Sequence, residues 1–153
     1  METTQLKIRP RLPVFVYGTL RKGLSNHSVL NDPGAEFLCA GFTRGRMYSL
    51  GVGAFPGVVF NDDSGIIWGE IYLVNRRVLG TIDTLEGYLP QTVERSFYVR
   101  RKIYVWPNDP YNTHSLPGRM KCYAYEILAF TPFEDRVIRS GDFKQFVFGQ
   151  EED

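Results

Sequence analysis

Two short stretches hold the residues whose types and spacing could do chemistry. In the first, the β-branched and aromatic run Val14-Phe15-Val16-Tyr17 ends at Gly18-Thr19-Leu20. A buried strand there gives way to a turn whose glycine admits a sharp bend or the close approach of another molecule. Successive main-chain N–H groups left unpaired by such a turn, with the Thr19 hydroxyl, could hold a small anionic or carbonyl-bearing ligand. A core strand followed by an ordinary turn is the plainer alternative. The second stretch is Ile82-Asp83-Thr84-Leu85-Glu86-Gly87-Tyr88. Its helical pattern puts Glu86 in a last turn, where the partial negative charge of the helix terminus disfavours ionisation by about 0.3–1 kcal/mol. An acid in that place, beside Leu85 and Tyr88, is a candidate for the burial-raised pKa that a general acid/base near neutral pH needs. A solvated glutamate is the competing reading, and Asp83 a competing carboxylate.

Few other groups offer a reaction centre. His27 and His114 are the only histidines, and neither sits in a recognisable triad setting. Cys39 and Cys122 lie far apart, without a C-x-x-C or Cys/His cluster, so neither zinc nor a redox motif is indicated, and both are expected to be reduced. No metal and no cofactor are called for. Lys and Arg number 18 against 17 Asp and Glu, with no basic stripe, which argues against nucleic acid as a partner. No apolar segment approaches the roughly 18 residues that a membrane span requires, so a cytoplasmic location is expected. At 153 residues and 43% hydrophobic, the chain suits one domain (1–153, core about 13–146) that buries about two-thirds of its unfolded surface.

The elements that must position these residues are mostly strands. Ser25 to Leu30 reads as a helical turn capped by Ser25 or Asn26, and Asn31-Asp32-Pro33-Gly34 as a turn. Ala35 to Tyr48 suits extended structure, with Phe37, Cys39 and Gly41 on one face. Gly51 to Gly57 reads as a tight loop with Phe55-Pro56 at its tip, Val58 to Phe60 as a brief strand, and Asn61 to Gly65 as a hairpin turn. Ile66 to Val74 is the longest strand candidate, with Gly69 marking a bulge, a bend or a close approach.

The period then changes. Asn75 caps a helix whose apolar stripe is Val78, Leu79, Ile82 and Leu85 and whose end is Gly87, the single well-marked helix. Thr92 to Tyr104 returns to strand, with Phe97, Val99 and Ile103 on one face and Tyr98, Arg100 and Lys102 among the alternates. Pro107 to Gly118 is a long connection, Cys122 to Phe130 a strand with Tyr125 toward a cavity or the core, and Thr131 to Asp135 a helix start. Six or more short strands with one clear helix argue for an α+β domain built on a small closed or nearly closed sheet.

Taken in order, Val16-Tyr17-Gly18-Thr19-Leu20 with Arg21-Lys22-Gly23, Asn26-His27, Gly45-Arg46-Met47-Tyr48, Phe55-Pro56-Gly57, Trp68-Gly69-Glu70-Ile71-Tyr72, Ile82 to Tyr88, Arg95 and Ser140-Gly141-Asp142-Phe143 resemble the gamma-glutamylcyclotransferase-like proteins, which include gamma-glutamylamine cyclotransferases and AIG2-like proteins. The resemblance implies a small mixed β-barrel with flanking helices. It implies that Tyr17, Gly18, Thr19 and Leu20 hold the glutamyl half of a small-molecule gamma-glutamyl substrate and that Glu86 is the acid/base; Tyr125, from its strand face and not from the resemblance, is a candidate further substrate contact with core packing as its alternative. The implied reaction is internal: the glutamyl α-amine attacks its own γ-carbonyl, releasing 5-oxoproline and an amine. Because the nucleophile belongs to the substrate, no Ser-His or Cys-His pair is needed. Val93 departs from the family, many of whose members carry tyrosine there. A monomer or weak homo-oligomer is expected, and a non-catalytic AIG2-like binding or regulatory domain using the same cavity is the alternative.

Overall fold

In the computed structural model, which describes residues 11–51, 53–60, 65–128 and 136–149, seven strands form in chain order. They are β1 (Leu12–Val16), β2 (Ala35–Arg44), β3 (Arg46–Leu50), β4 (Phe55–Val59), β5 (Ile66–Val74), β6 (Tyr98–Asn108) and β7 (Met120–Ile127). Strands β1, β5, β2, β6 and β7 close in that order into a barrel, and β3 and β4 pair beside it as a two-stranded sheet. The barrel is mixed: β1 runs parallel to β7 while its other pairings are antiparallel. The expected α+β barrel with flanking helices is therefore what the chain forms.

Alternation along the strands divides the apolar residues into two cores. Phe15, Cys39, Ile71, Val105, Cys122 and Ala124, one or more from each barrel strand, belong to one cluster that fills the interior. Val14, Val16, Tyr72 and Val74, of opposite parity on β1 and β5, join the second cluster with Val78, Leu79 and Ile82 of helix α1 (Arg76–Glu86). Burial of this outer face fixes α1 on the barrel wall.

The helix ends are set by their own chemistry. The Asn75 side chain accepts from the Val78 N–H at 2.9 Å. At the other end Gly87 is left-handed, with φ +68°. The Gly87 N–H donates to the Thr84 carbonyl at 3.2 Å and the Tyr88 N–H to the Asp83 carbonyl at 2.9 Å, a Schellman closure that leaves Glu86 as the last helical residue. Of the expected stripe, Leu85 is not buried; the helix has passed the edge of the barrel wall by then.

Gly69 is required by a close approach. A Cβ there would lie 2.3 Å from the Val16 carbonyl oxygen and 2.7 Å from the Phe15 ring, so β5 meets β1 more tightly than any side chain allows.

Several expectations change. Phe37 does not share a face with Cys39 and Gly41, because a register shift between Phe37 and Cys39 turns it outward. Phe55 and Pro56 are in β4, not at a loop tip, pairing with Leu50 and Ser49. Val93–Arg95 is a 3-10 turn, so β6 starts at Tyr98; Phe97, before the strand, is exposed, while Tyr98 and Val99 are both buried. Pro107 is the partner of Gly41 in the β2–β6 ladder, which shortens the expected connection. A second helix, α2 (Phe143–Gly149), buries Phe143. The Asn61–Ser64 portion of the expected hairpin turn, the end of the expected strand at Ala129 and Phe130, and the Thr131–Asp135 helix start lie outside the described residues.

Candidate active site

A cavity of about 310 Å³ opens between the segment after β1, the start of β4, the end of α1, and the strands β6 and β7. Tyr17, Gly18, Thr19, Leu20, Glu86 and Tyr125, far apart in sequence, all line it. Its size is at the lower end of small-molecule sites.

The segment after β1 is pinned by hydrogen bonds of its own. Its turns are closed by the Arg21 N–H to the Gly18 carbonyl at 3.0 Å and the Asn26 N–H to the Thr19 carbonyl at 2.9 Å. The Asn26 amide donates to the Thr19 hydroxyl oxygen at 2.9 Å, and His27 Nδ1 donates to the Leu20 carbonyl at 2.9 Å. In this arrangement Gly18, Thr19 and Leu20 give carbonyl and hydroxyl oxygens to the turn, and among the described residues none of their own N–H groups is engaged. Gly18 is dictated by a neighbour: a Cβ would lie 2.9 Å from Pro56 Cγ, so β4 presses directly on the backbone at the cavity wall.

Beneath the segment sits Glu70, a buried carboxylate that the sequence does not single out. Its oxygens accept from the Lys22 N–H and the Tyr72 hydroxyl, each at 2.9 Å, and from Arg21 Nε and Lys144 Nζ, each at 3.2 Å. Burial works against its ionisation, but these donors outweigh it and hold the carboxyl below its ordinary pKa. Arg21 also pairs with Asp142 at 2.9 Å, so it serves the fold and does not line the cavity; nor does Arg46.

Glu86 is placed in the opposite way. Its half-buried carboxyl faces the cavity and has no hydrogen-bond or ion-pair partner among the described residues. Burial alone pushes its pKa from 4.5 up to about 7. Asp83, the competing carboxylate one turn earlier, is engaged on both oxygens, by the Tyr125 hydroxyl at 2.5 Å and by Arg100 at 2.6 Å.

Three phenols surround Glu86 without bonding to it. Tyr17 donates to the Tyr125 carbonyl and Tyr98 to the Pro56 carbonyl, each at 2.6 Å, while Tyr125 donates to Asp83. Burial first raises all three pKa values, followed by Tyr98 and then Glu86 for Tyr17, by the charge of Glu86 for Tyr98, and by the hydrogen bond to Asp83 and then its charge for Tyr125, so the phenols stay protonated and their hydrogens stay committed. The cavity thus holds one proton acceptor tuned near neutrality, opposed to a backbone segment with donors to spare. That combination can deprotonate an amine and steady an oxyanion. Tyr98 escaped the sequence reading because Phe97 took its place in the alternation; the 3-10 turn before it resets the phase.

Among the described residues no group of three or more His, Cys, Asp or Glu side chains is disposed to hold a metal ion, and no helix is long and apolar enough to cross a membrane. Cys39 and Cys122 are buried free thiols.

Residues 14–145 match the family model described as "Gamma-glutamyl cyclotransferase, AIG2-like". The gamma-glutamylaminecyclotransferase of Homo sapiens is 32% identical over 126 residues, covering 78% of this chain and 80% of that protein. The gamma-L-glutamyl-butirosin B gamma-glutamyl cyclotransferase of Niallia circulans is 33% identical over 113 residues, covering 73% of this chain and 69% of that protein. The crystal structure of an AIG2-like protein from Mus musculus superposes with a TM-score of 0.67 at 26% identity, covering 81% of this chain and 82% of that one.

Proposed function

The chain belongs to the gamma-glutamyl cyclotransferase, AIG2-like family, and we propose that it converts a gamma-glutamyl amide to 5-oxoproline and a free amine, with Glu86 as general acid/base. The observation that carries this reading is Glu86 itself: a carboxyl without a partner among the described residues, raised to about 7 by burial, facing the same cavity as the Gly18–Leu20 backbone.

The reaction needs three things. The glutamyl chain must be folded so that its α-amine reaches its γ-carbonyl, a proximity effect that a small, walled cavity supplies. Gly18, Thr19 and Leu20 hold the glutamyl oxygens through main-chain N–H groups and steady the oxyanion that forms at the γ-carbon, a role worth about 2.7–4 kcal/mol per well-placed donor. Glu86 takes the proton the attacking amine sheds and returns it to the departing nitrogen as the γ-amide bond breaks. One C–N bond forms, one breaks, and neither water nor an oxidant is consumed. The two relatives carry names with the same glutamyl chemistry and different amine halves, butirosin B being one of them; this supports a conserved reaction with an independent amine side.

The test is release of 5-oxoproline, measured by mass spectrometry, from a panel of gamma-glutamyl amides and amino acids. The parent gives product and a folded Glu86→Gln variant gives at least a hundredfold less. Full activity in the variant removes Glu86 from the mechanism. Silence from the parent, with a substrate-induced rise in melting temperature, favours a binding domain that uses the same cavity.

A further inference from the structure

A second cavity, of about 520 Å³, lies across the segment after β1 from the first. That segment is a wall of both: Gly18, Thr19 and Leu20 line the first cavity, Arg21, Lys22 and His27 the second, and no residue lines the two together. The volume falls within the roughly 300–1,000 Å³ of small-molecule sites.

One end of this cavity is cationic. Arg21, Lys22 and Lys144 line it with a single carboxylate, Glu70. Both Glu70 oxygens are already taken by Arg21, Lys144, the Tyr72 hydroxyl and the Lys22 N–H, so the carboxylate has little left for a cationic ligand. The cations do have capacity to spare. Arg21 spends Nε on Glu70 and Nη1 on Asp142, and Lys144 spends one contact on Glu70. The exposed Lys22 ammonium has no ion-pair partner among the described residues. A ligand with several anionic oxygens matches that set of donors.

The other end is aromatic. Phe37, turned outward by the register shift before Cys39, is 54% exposed and meets the Tyr72 ring edge-on at 5.5 Å. The His27 ring lies 6.0 Å from Tyr72 on the same wall. Ladder register fixes how far apart the two ends are: Glu70 pairs with Ala40 and Tyr72 with Phe37, two residues along β5, which is about 6.5 Å. Ala40 lines the space between with a single methyl. A flat ring on Phe37 is thereby placed within reach of an anionic group at Lys22 and Lys144.

We propose that this second cavity binds a phosphate monoester bearing a flat ring, such as a nucleoside monophosphate, with its phosphate at Lys22 and Lys144 and its ring on Phe37. Occupancy of this cavity does not depend on the reaction proposed at Glu86.

The experiment titrates the full chain, by calorimetry at low salt, with adenosine monophosphate, 2-phenylethyl phosphate, adenosine and inorganic phosphate. At least one monoester is expected to bind about tenfold more tightly than adenosine or inorganic phosphate, and the order of the two monoesters separates a nucleotide from an aryl phosphate. Lys22→Ala, which keeps the main-chain bond to Glu70, and Phe37→Ser, at an exposed ring, each weaken the tighter monoester about fivefold; either one alone serves should the other not fold. Phe37→Ser leaves the affinity for inorganic phosphate unchanged. Amide NMR shifts on titration are expected at Lys22, His27 and Phe37 and not at Glu86 and Tyr98. Shifts centred on Glu86 and Tyr98 overturn the proposal, as does adenosine or inorganic phosphate binding as tightly as the monoesters. Unchanged affinity in the folded variants, or no saturable binding of either monoester, overturns it as well.

Discussion

Tyr125 gives its phenol hydrogen to Asp83 across 2.5 Å, and the other Asp83 oxygen lies 2.6 Å from Arg100. Arg100 is itself stacked over the rings of Tyr88 and Tyr123 at 5.3 and 4.8 Å. The last turn of α1 is thereby tied to β6 and β7 just before it delivers Glu86 to the cavity. Two carboxyls three residues apart on one helix are used in opposite ways: one fully bonded and fixed, the other left without partners among the described residues.

Replacing Asp83 should therefore loosen the site without removing its acid/base. Asp83→Asn keeps an acceptor for Tyr125 but leaves the partly buried Arg100 without its counter-charge, at a cost of about 1–3 kcal/mol. Denaturant unfolding is expected to show that loss, and kcat to fall several-fold while the acidic limb of the pH–rate profile stays in place. An Asp83→Asn profile that has lost this limb would transfer the proton role from Glu86 to Asp83.

The Glu86 carboxyl predicts linked pH effects on rate and stability. As a base it must be ionised, so kcat/KM should rise with pH through an apparent pKa near the raised value of about 7. Its folded pKa lies above the unfolded one, so the folded state binds the proton more tightly. The stability that this provides is complete below the ordinary carboxyl value of 4.5 and is lost as pH rises through about 7. The difference between these two values sets an upper bound on the order of 3 kcal/mol. Glu86→Gln, which stays neutral, should match the parent in urea at pH 4.5 and exceed it at pH 8.5. Equal stability of the two proteins at both pH values would mean that the carboxyl is solvated and its pKa ordinary.

Much of this site was legible because its signals are local. Asn75, the Val78-Leu79-Ile82 stripe and Gly87 define a helix by capping and period alone, and that helix carries Glu86 with it. The strand before Gly18 declares itself by composition. What was not legible depends on tertiary contact or on a phase reset. A bulge at Leu38 turns Phe37 outward, and a 3-10 turn at Val93–Arg95 hands the cavity position to Tyr98 in place of Phe97. Pro56 looks like a loop residue until its pairing with Ser49 makes it a strand residue. Glu70 reads as a polar interruption of β5; its four donors come from β5 itself, the segment after β1 and α2, and no spacing in the chain brings these together.

Glycine substitutions separate backbone propensity from packing. Gly80 lies in α1 with open space where a Cβ would go, so Gly80→Ala should add about 0.5–1 kcal/mol through a better helix former. Gly69→Ala drives a methyl against the Val16 carbonyl and should cost more than about 3 kcal/mol, because that oxygen belongs to a paired strand that cannot yield alone. Gly18→Ala meets Pro56, whose ring has some room to shift, and a cost of about 1–3 kcal/mol is expected with a larger fall in kcat/KM. Thermal unfolding of the three variants gives the order directly, and a Gly69→Ala protein as stable as Gly80→Ala would show that β1 and β5 do not meet as described.

Glu70 offers the most demanding test of how the fold supports the site. Its partners Arg21 and Lys22 directly follow Gly18–Leu20, and Lys144 belongs to α2, so one carboxylate holds the cavity-lining turn against both β5 and the last helix. Glu70→Gln retains the shape but removes the charge that answers Arg21 and Lys144, and breaking a buried set of this kind costs about 3–5 kcal/mol. Asp142 still pairs with Arg21 in the variant and should soften that figure. The folded pKa of Glu70 is depressed, so its contribution is present above the ordinary carboxyl range and is lost as pH falls through the depressed value. The stability gap between parent and variant should therefore be wide at pH 7 and narrow as the solution is acidified. KM is expected to rise in the variant more than kcat falls, since the turn proposed to hold the substrate is released while Glu86 stays on its helix. A gap that does not change with pH would show that Glu70 acts by shape and hydrogen bonding alone, and a fall in kcat with KM unchanged would separate it from the binding turn.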